Sequence, residues 1–256
     1  MDGSVLKAKL REGRVALGTW VTCADVAGAD ILAHVGFDFV FLDMEHAPLS
    51  VDQVQTLCVV FRDTPTVPLA RVPWNDMVAV KRALDAGAEG VLVPFVCSAE
   101  EARRAVAACR YPPEGVRGVA PRGGGAFFRD RPGYIARANR SVVVIVQIEH
   151  VSAVERLDEI LAVEGIDALF VGPADLAASM GHLGDTGHPE VRSTMERVFA
   201  RARAAGVPAG TIAATADEAL AWIRQGARVV TLGSDLRFLQ MASSAMIEAV
   251  QRQLDA

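Results

Sequence analysis

Residues 142–150 read VVVIVQIEH. Six of the first seven are β-branched and apolar (Val142, Val143, Val144, Ile145, Val146 and Ile148), with Gln147 the single interruption. So continuous an apolar run suits a strand covered on both faces, the kind found in parallel sheets. Gln147 and Glu149 stand two apart and therefore share a face. A carboxylate at the end of such a strand is costly unless a metal, an opposite charge or water meets it.

Working outward, the same pattern recurs. Strands are predicted at 16–22 (ALGTWVT), 39–45 (FVFLDME), 67–72 (VPLARV), 90–96, 168–172 (ALFVG), 208–213 and 229–233. Helices are predicted between them. A short amphipathic helix at 3–12 precedes the first strand. Helix 25–35 stops at Gly36, Ser50 caps a helix to about Arg62, and Asn75 caps one to Ala86. Ser98 caps another to Arg110, with Glu101 as the fourth member of a capping box. A short helix at 134–139 leads into the 142–150 strand, and a helix at 152–162 follows it. Helices at 189–205, up to Gln225, and from Asp235 onward complete the chain. Two loops are long, 111–129 and 181–188; long loops in compact domains are usually functional or mobile. Eight strand-then-helix units in 256 residues predict one closed (β/α)8 barrel spanning 1–256, with an open doubly wound sheet as the alternative.

Composition bounds the function. An apolar content of 51% is ample for a large core, and a net charge of −5 gives no support to nucleic-acid or anionic-membrane binding. The four cysteines (Cys23, Cys58, Cys97, Cys109) form no CxxC pair and read as reduced thiols of a cytoplasmic protein. The N-terminus is too charged for a signal peptide, and no apolar run reaches membrane-spanning length.

In such barrels chemistry sits at the C-terminal ends of the strands. There the sequence places Asp43, Glu45 and His46 after strand two, Arg71 on strand three, Gln147 and Glu149 on strand five, and Asp175 after strand six. Charges at the opposite ends are expected to be fewer. Glu149 and Asp175 come from adjacent strands and repel unless a cation lies between them. An oxygen set without cysteine or paired histidine suits Mg2+ or Mn2+; alternatively Asp175 merely caps the next turn. Gly172-Pro173-Ala174-Asp175 opens a helical turn whose free N–H groups suit a carboxylate or phosphate. His46 is a candidate base, with Asp85 or Asp43 to orient it, or else a loop histidine. Arg71 either neutralises the acids or meets an anionic oxygen that develops in a reaction. The lysines (Lys7, Lys9, Lys81) are absent from strand ends, which removes a Schiff-base mechanism.

Together these residues resemble the HpcH/HpaI aldolases, metal-dependent class II pyruvate aldolases. The stretch from Gly36-Phe37-Asp38 through Asp43-Met44-Glu45-His46-Ala47-Pro48 is similar to that family's GFD-x-x-x-x-D-x-E-H-x-P pattern. The likeness continues through Arg71-Val72-Pro73-Trp74-Asn75-Asp76, Leu84-Asp85-Ala86-Gly87-Ala88, Tyr111-Pro112-Pro113 with Gly115-Val116-Arg117-Gly118, Gln147-Ile148-Glu149, and Gly172-Pro173-Ala174-Asp175-Leu176.

The resemblance implies roles. Glu149 and Asp175 would hold a divalent metal (Mg2+, Mn2+ or Co2+) that chelates a 2-oxo acid. The backbone at Gly172, Pro173, Ala174 and Asp175 would take its carboxylate, and Gln147 would help hold it. Arg71 would sit on the keto oxygen, and His46 would act as base with Asp85 raising its basicity. The implied reaction is reversible cleavage of a 4-hydroxy-2-oxo acid to pyruvate and an aldehyde. Alternatives on the same platform are oxaloacetate decarboxylation, cleavage of a CoA thioester, and a non-catalytic 2-oxo-acid-binding barrel. The family also implies a hexamer with an exchanged C-terminal helix. One segment departs from the pattern: 119–128 (VAPRGGGAFF) is rich in glycine. It is expected to border the aldehyde half of the site, with Arg122 pointing to a carboxylated or polar tail.

Overall fold

The computed structural model describes residues 3–124 and 127–255. Eight strands run β1 (Ala16–Val21), β2 (Phe39–Asp43), β3 (Val67–Arg71), β4 (Gly90–Val93), β5 (Val143–Ile148), β6 (Ala168–Val171), β7 (Ala209–Ala213) and β8 (Val229–Ser234). All pair in parallel with their sequence neighbours, and β1 pairs with β8, which closes the barrel. The helices are α1 (Gly3–Arg11), α2 (Val26–His34), α3 (Val51–Val60), α4 (Met77–Ala86), α5 (Ala99–Cys109), α6 (Arg131–Ser141), α7 (Val151–Glu155), α8 (Leu157–Leu161), α9 (Pro173–Ser179), α10 (Pro189–Ala204), α11 (Ala216–Arg224) and α12 (Asp235–Leu254). The expected (β/α)8 architecture is the one observed.

Alternate residues of each strand face the interior, and their chemistry changes along the barrel axis. On β2 the inward series is Phe39, Phe41, Asp43; on β3 it is Val67, Leu69, Arg71; on β5 it is Val143, Ile145, Gln147, followed by Glu149. The lower positions join Trp20 and Phe170 in a cluster of packed rings. Trp20 and Phe41 lie 4.9 Å apart, Phe41 and Phe170 5.6 Å, and Phe39 and Phe41 5.1 Å. Gly18 makes room for this: a Cβ there would lie 2.4 Å from the Phe39 ring. Leu6 and Leu10 of α1 join the same cluster from the N-terminal end. The second apolar layer lies between barrel and helices, where Val40, Leu42, Val144 and Val146 meet helix residues such as Leu57, Leu84 and Trp222.

Local details depart from the sequence reading where two candidates compete. The cap of α4 is Asp76, whose carboxylate accepts from Val78 and Ala79 N–H; Asn75 instead donates to Glu101 C=O. The helix expected at 152–162 breaks at Arg156 into α7 and α8. Ser98 caps α5 as expected, but Glu101 returns its bond to Cys97 N–H, one residue earlier than a capping box requires. β2 ends at Asp43, so Glu45 and His46 lie in the following turn. The N-terminal rim is not sparing in charge: Lys7 pairs with Asp167 at 3.0 Å and Lys9 with Asp38 at 2.5 Å, because α1 brings its lysines under the strands.

Candidate active site

The polar top layer opens into a cavity of ≈ 740 Å3 at the C-terminal mouth, lined among others by Asp43, His46, Arg71, Gln147, Gly172 and Asp175. Asp43 and Arg71 are Cα partners in the β2–β3 register. Their side chains form a two-point pair, Nε to Oδ1 at 2.9 Å and Nη2 to Oδ2 at 2.7 Å. The guanidinium also lies 4.3 Å from the centre of the Trp20 ring, whose indole N–H is held by Thr231 at 2.9 Å. Planar stacking plus a two-point carboxylate fixes an arginine more tightly than either alone. The remaining nitrogen, Nη1, lies 3.3 Å from Glu45 Oε2. Asp43 Oδ1 further accepts from the N–H groups of Glu45 and His46, so one carboxylate shapes the turn that carries both.

Glu149 is 2% exposed. One oxygen accepts from Phe95 N–H at 2.7 Å and the other from the Gln147 amide. Phe95 adopts φ 56°, an unusual conformation for a bulky residue, to present that N–H. Burial raises the Glu149 carboxyl to about 7; the Phe95 hydrogen bond opposes this, while the negative charges of Glu45 and Asp175 add to it. Glu45 is raised in the same way, first by burial, with Arg71 and His46 opposing and Asp43 and Asp175 adding. Three carboxylates thus converge on the mouth. Among the described residues, Glu45 Oε2 and Gln147 Oε1 are buried there without a hydrogen-bond partner. Gly172 leaves the space open beside them: a Cβ would lie 2.6 Å from Glu149 Oε2 and 2.7 Å from Gln147 Nε2.

These features fit a hard divalent cation. The donors are carboxylate oxygens whose charges are mutually unfavourable without a counter-ion, and the buried Glu45 Oε2 has only the 3.3 Å ion pair to Arg71 and no hydrogen bond. Glu149 and Asp175 are the residues that would hold it. Asp175 lies in the first turn of α9, which Gly172 caps and Pro173 opens. The N–H groups of Ala174 and Asp175 have no intrahelical acceptor at such positions.

The structure does not bring Asp85 to His46. Asp85 stands in the last turn of α4, on the rim away from the strand ends, and pairs with the buried Arg117 at 2.9 Å. Helices of the barrel run antiparallel to its strands, so a residue late in α4 is carried to the far end. His46 itself is exposed, with its side chain 61% accessible and Nε2 3.8 Å from Glu45 Oε2. The glycine-rich segment also lies away from the mouth of its own chain. Gly123 N–H donates to Asp85 C=O, and Arg62 donates to Gly123 C=O. Gly125 and Ala126 of that segment lie outside the described residues. Phe95, the donor to Glu149, escaped the sequence reading without a signal; Trp20 under Arg71 and Glu45 beside it were legible as strand-end residues but carried no assigned role.

Comparison with known proteins gives the family and the fold. Residues 16–242 match the family model described as HpcH/HpaI aldolase/citrate lyase. A 5-keto-4-deoxy-D-glucarate aldolase of Citrobacter koseri is 41% identical over 246 residues, 96% of each chain. An HpcH/HpaI aldolase/citrate lyase family protein from Burkholderia cenocepacia superposes with a TM-score of 0.92 at 38% identity, covering 97% of this chain and 99% of that one. The HpcH/HpaI aldolase of Desulfitobacterium hafniense gives 0.89 at 34% identity, with 96% of each chain covered.

Proposed function

Because the chain belongs to the HpcH/HpaI aldolase/citrate lyase family, we propose that it is a divalent-cation-dependent aldolase built as one barrel domain, cleaving a 4-hydroxy-2-oxo acid reversibly to pyruvate and an aldehyde. The observation that carries this reading is the convergence of the Glu149, Asp175 and Glu45 carboxylates beside a fixed arginine.

When bound, the cation (Mg2+, Mn2+ or Co2+) supplies Lewis-acid polarisation of the ketoacid oxygens. The protein residues do the rest. The Ala174 and Asp175 N–H groups receive the ketoacid carboxylate. Gln147 Oε1, unpartnered, would accept from a substrate hydroxyl while its amide nitrogen donates to Glu149. Arg71 would stabilise the negative charge that grows on the keto oxygen as the C3–C4 bond breaks. His46 takes the proton from the 4-hydroxyl, and its exposed ring lets it exchange that proton with solvent. Asp43 and Trp20 are positioning residues for Arg71. Asp85 receives no role at the mouth of its own chain.

The substrate proposed is 5-keto-4-deoxy-D-glucarate, the compound in the name of the Citrobacter koseri relative. It carries a second carboxylate, and Arg237 lines the cavity with its guanidinium on neutral Gln240, leaving a cation for that group. The protein is further proposed to work in the cytoplasm as a hexamer of exchanged helices. No helix among the described residues is long and apolar enough to cross a membrane. α12 has no buried residue along its length, and Leu239, Met246, Ile247 and Val250 stand exposed on it, as a segment covered by a second copy would.

The test is pyruvate release from 5-keto-4-deoxy-D-glucarate with Mn2+ present and after excess EDTA. Cation-dependent release is expected. Cleavage that survives EDTA unchanged rejects the reading.

A further inference from the structure

Beyond the mouth, one cluster of donor atoms stands out among the described residues. His182, His188 and Glu190 each place a ligand-type atom within 4.8 Å of the others. The chain builds it from the loop between α9 and α10. Gly181 and Gly184, at φ 86° and 83°, turn the backbone back on itself. His182 thereby stacks on His188, with ring centres 3.5 Å apart and planes 16° from parallel. Glu190, in the first turn of α10, brings Oε2 to 2.9 Å from His182 Nε2.

We propose that His182, His188 and Glu190 form a second cation site, for a zinc-type transition-metal ion, separate from the strand-end carboxylates. Each imidazole offers its lone pair in its own ring plane, so binding one ion through both rings turns them out of the parallel stack, within a loop bent at Gly181 and Gly184. Neutral imidazole is the donor that zinc prefers, and one carboxylate completes a three-ligand protein set with a position left for water. The mouth offers oxygen donors and suits a harder ion, so the two sites select different metals. The cation replaces the proton held between His182 Nε2 and Glu190 Oε2. The His188 Nδ1 contact to Glu190 N–H is long, 3.3 Å, and is the one local bond that coordination through that ring gives up. His182 is 22% and Glu190 70% exposed at the side chain, so an ion reaches the cluster from solvent.

The site has a structural consequence. Thr186 lies between the two histidines in sequence and lines the mouth cavity. A cation that ties His182 to His188 and Glu190 closes a short loop around Thr186 and fixes that wall of the cavity.

The proposal stands on the loop alone and does not rest on the aldolase reading. Its test is equilibrium binding of Zn2+ to the full-length, tag-free protein in excess Mg2+, with Co2+ as the coloured substitute. One tightly bound Zn2+ per chain is expected, and Co2+ should give the intense visible bands of low-coordinate nitrogen ligation. His182→Ala and Glu190→Gln should each weaken Zn2+ binding roughly tenfold or more, whereas Glu149→Gln should leave it in place. Glu190 is exposed, so its variant keeps the test valid if His182→Ala misfolds. Absence of Zn2+ binding overturns the proposal. So does binding unchanged in Glu190→Gln, or binding lost in Glu149→Gln alone.

Discussion

Gln147 donates its amide to Glu149 from the same face of one strand, so the acid is aimed by its own neighbour before any ligand arrives. The pair sits at the top of a strand whose lower inward residues, Val143 and Ile145, are fully buried. Burial beneath and two donors above hold this carboxylate in one orientation while leaving its charge costly.

That cost predicts a pH dependence of stability in cation-free protein. The Glu149 carboxyl is raised from its ordinary 4.5 to about 7, chiefly by burial. A raised acid favours the protonated folded state. Its contribution is therefore complete below about 4.5 and lost as pH climbs through about 7, on the order of 3 kcal/mol in all. In EDTA the Tm should fall across that window, and Glu149→Gln should flatten the fall. Mn2+ should restore the wild-type Tm most strongly near neutral pH. Scanning fluorimetry from pH 5 to 8 measures it, and an equal slope in both proteins contradicts it.

Arg71 and Asp43 should behave as one unit. Asp43→Asn leaves a buried guanidinium with half its partner and should lower stability by about 3 kcal/mol. It should also lower kcat by roughly a hundredfold through misplacement of Arg71. Arg71→Lys should not rescue, because an ammonium can neither stack on Trp20 nor make the two-point bond. Denaturant melts and steady-state kinetics on both variants decide this.

His46 separates two chemistries. Its removal should slow aldol cleavage by roughly 10²–10⁴. Oxaloacetate decarboxylation needs the cation and Arg71 but no base, so His46→Ala should spare it. Since the ring is exposed, the melting temperature should hardly move. Equal losses in both reactions would remove the assigned role.

The apolar face of α12 should hold the assembly together. Met246→Glu and Ile247→Glu place charge where 72% and 59% of those side chains now stand open. Light scattering should show a smaller species than wild type, with the barrel still folded by circular dichroism. An unchanged particle mass in both variants rules α12 out as the interface.

Much of this was legible in the sequence because strand burial writes itself as composition. The β5 run, the capping serines and the polar residues gathered at the ends of strands two, three, five and six marked the barrel and its mouth. Where two neighbours compete for one role, sequence loses the distinction, as with Asn75 and Asp76 at α4. Asp85 sat in a matching motif yet lies at the far rim, because distance along a helix carries a residue down the barrel. Phe95 left no trace: nothing in its side chain announces a φ of 56°. Glu45 was visible as a strand-end acid, but the burial of its Oε2 against Arg71 depends on what packs around it.

The packed rings of Phe39, Phe41, Trp20 and Phe170 form a solid floor beneath the cavity. Whatever lies deepest must depart by the route that later-bound molecules block. For the proposed reaction, the ketoacid fragment held at Arg71 and the Ala174 and Asp175 N–H groups leaves after the aldehyde nearer solvent. Pyruvate should then compete with the substrate in product inhibition, and the aldehyde should not.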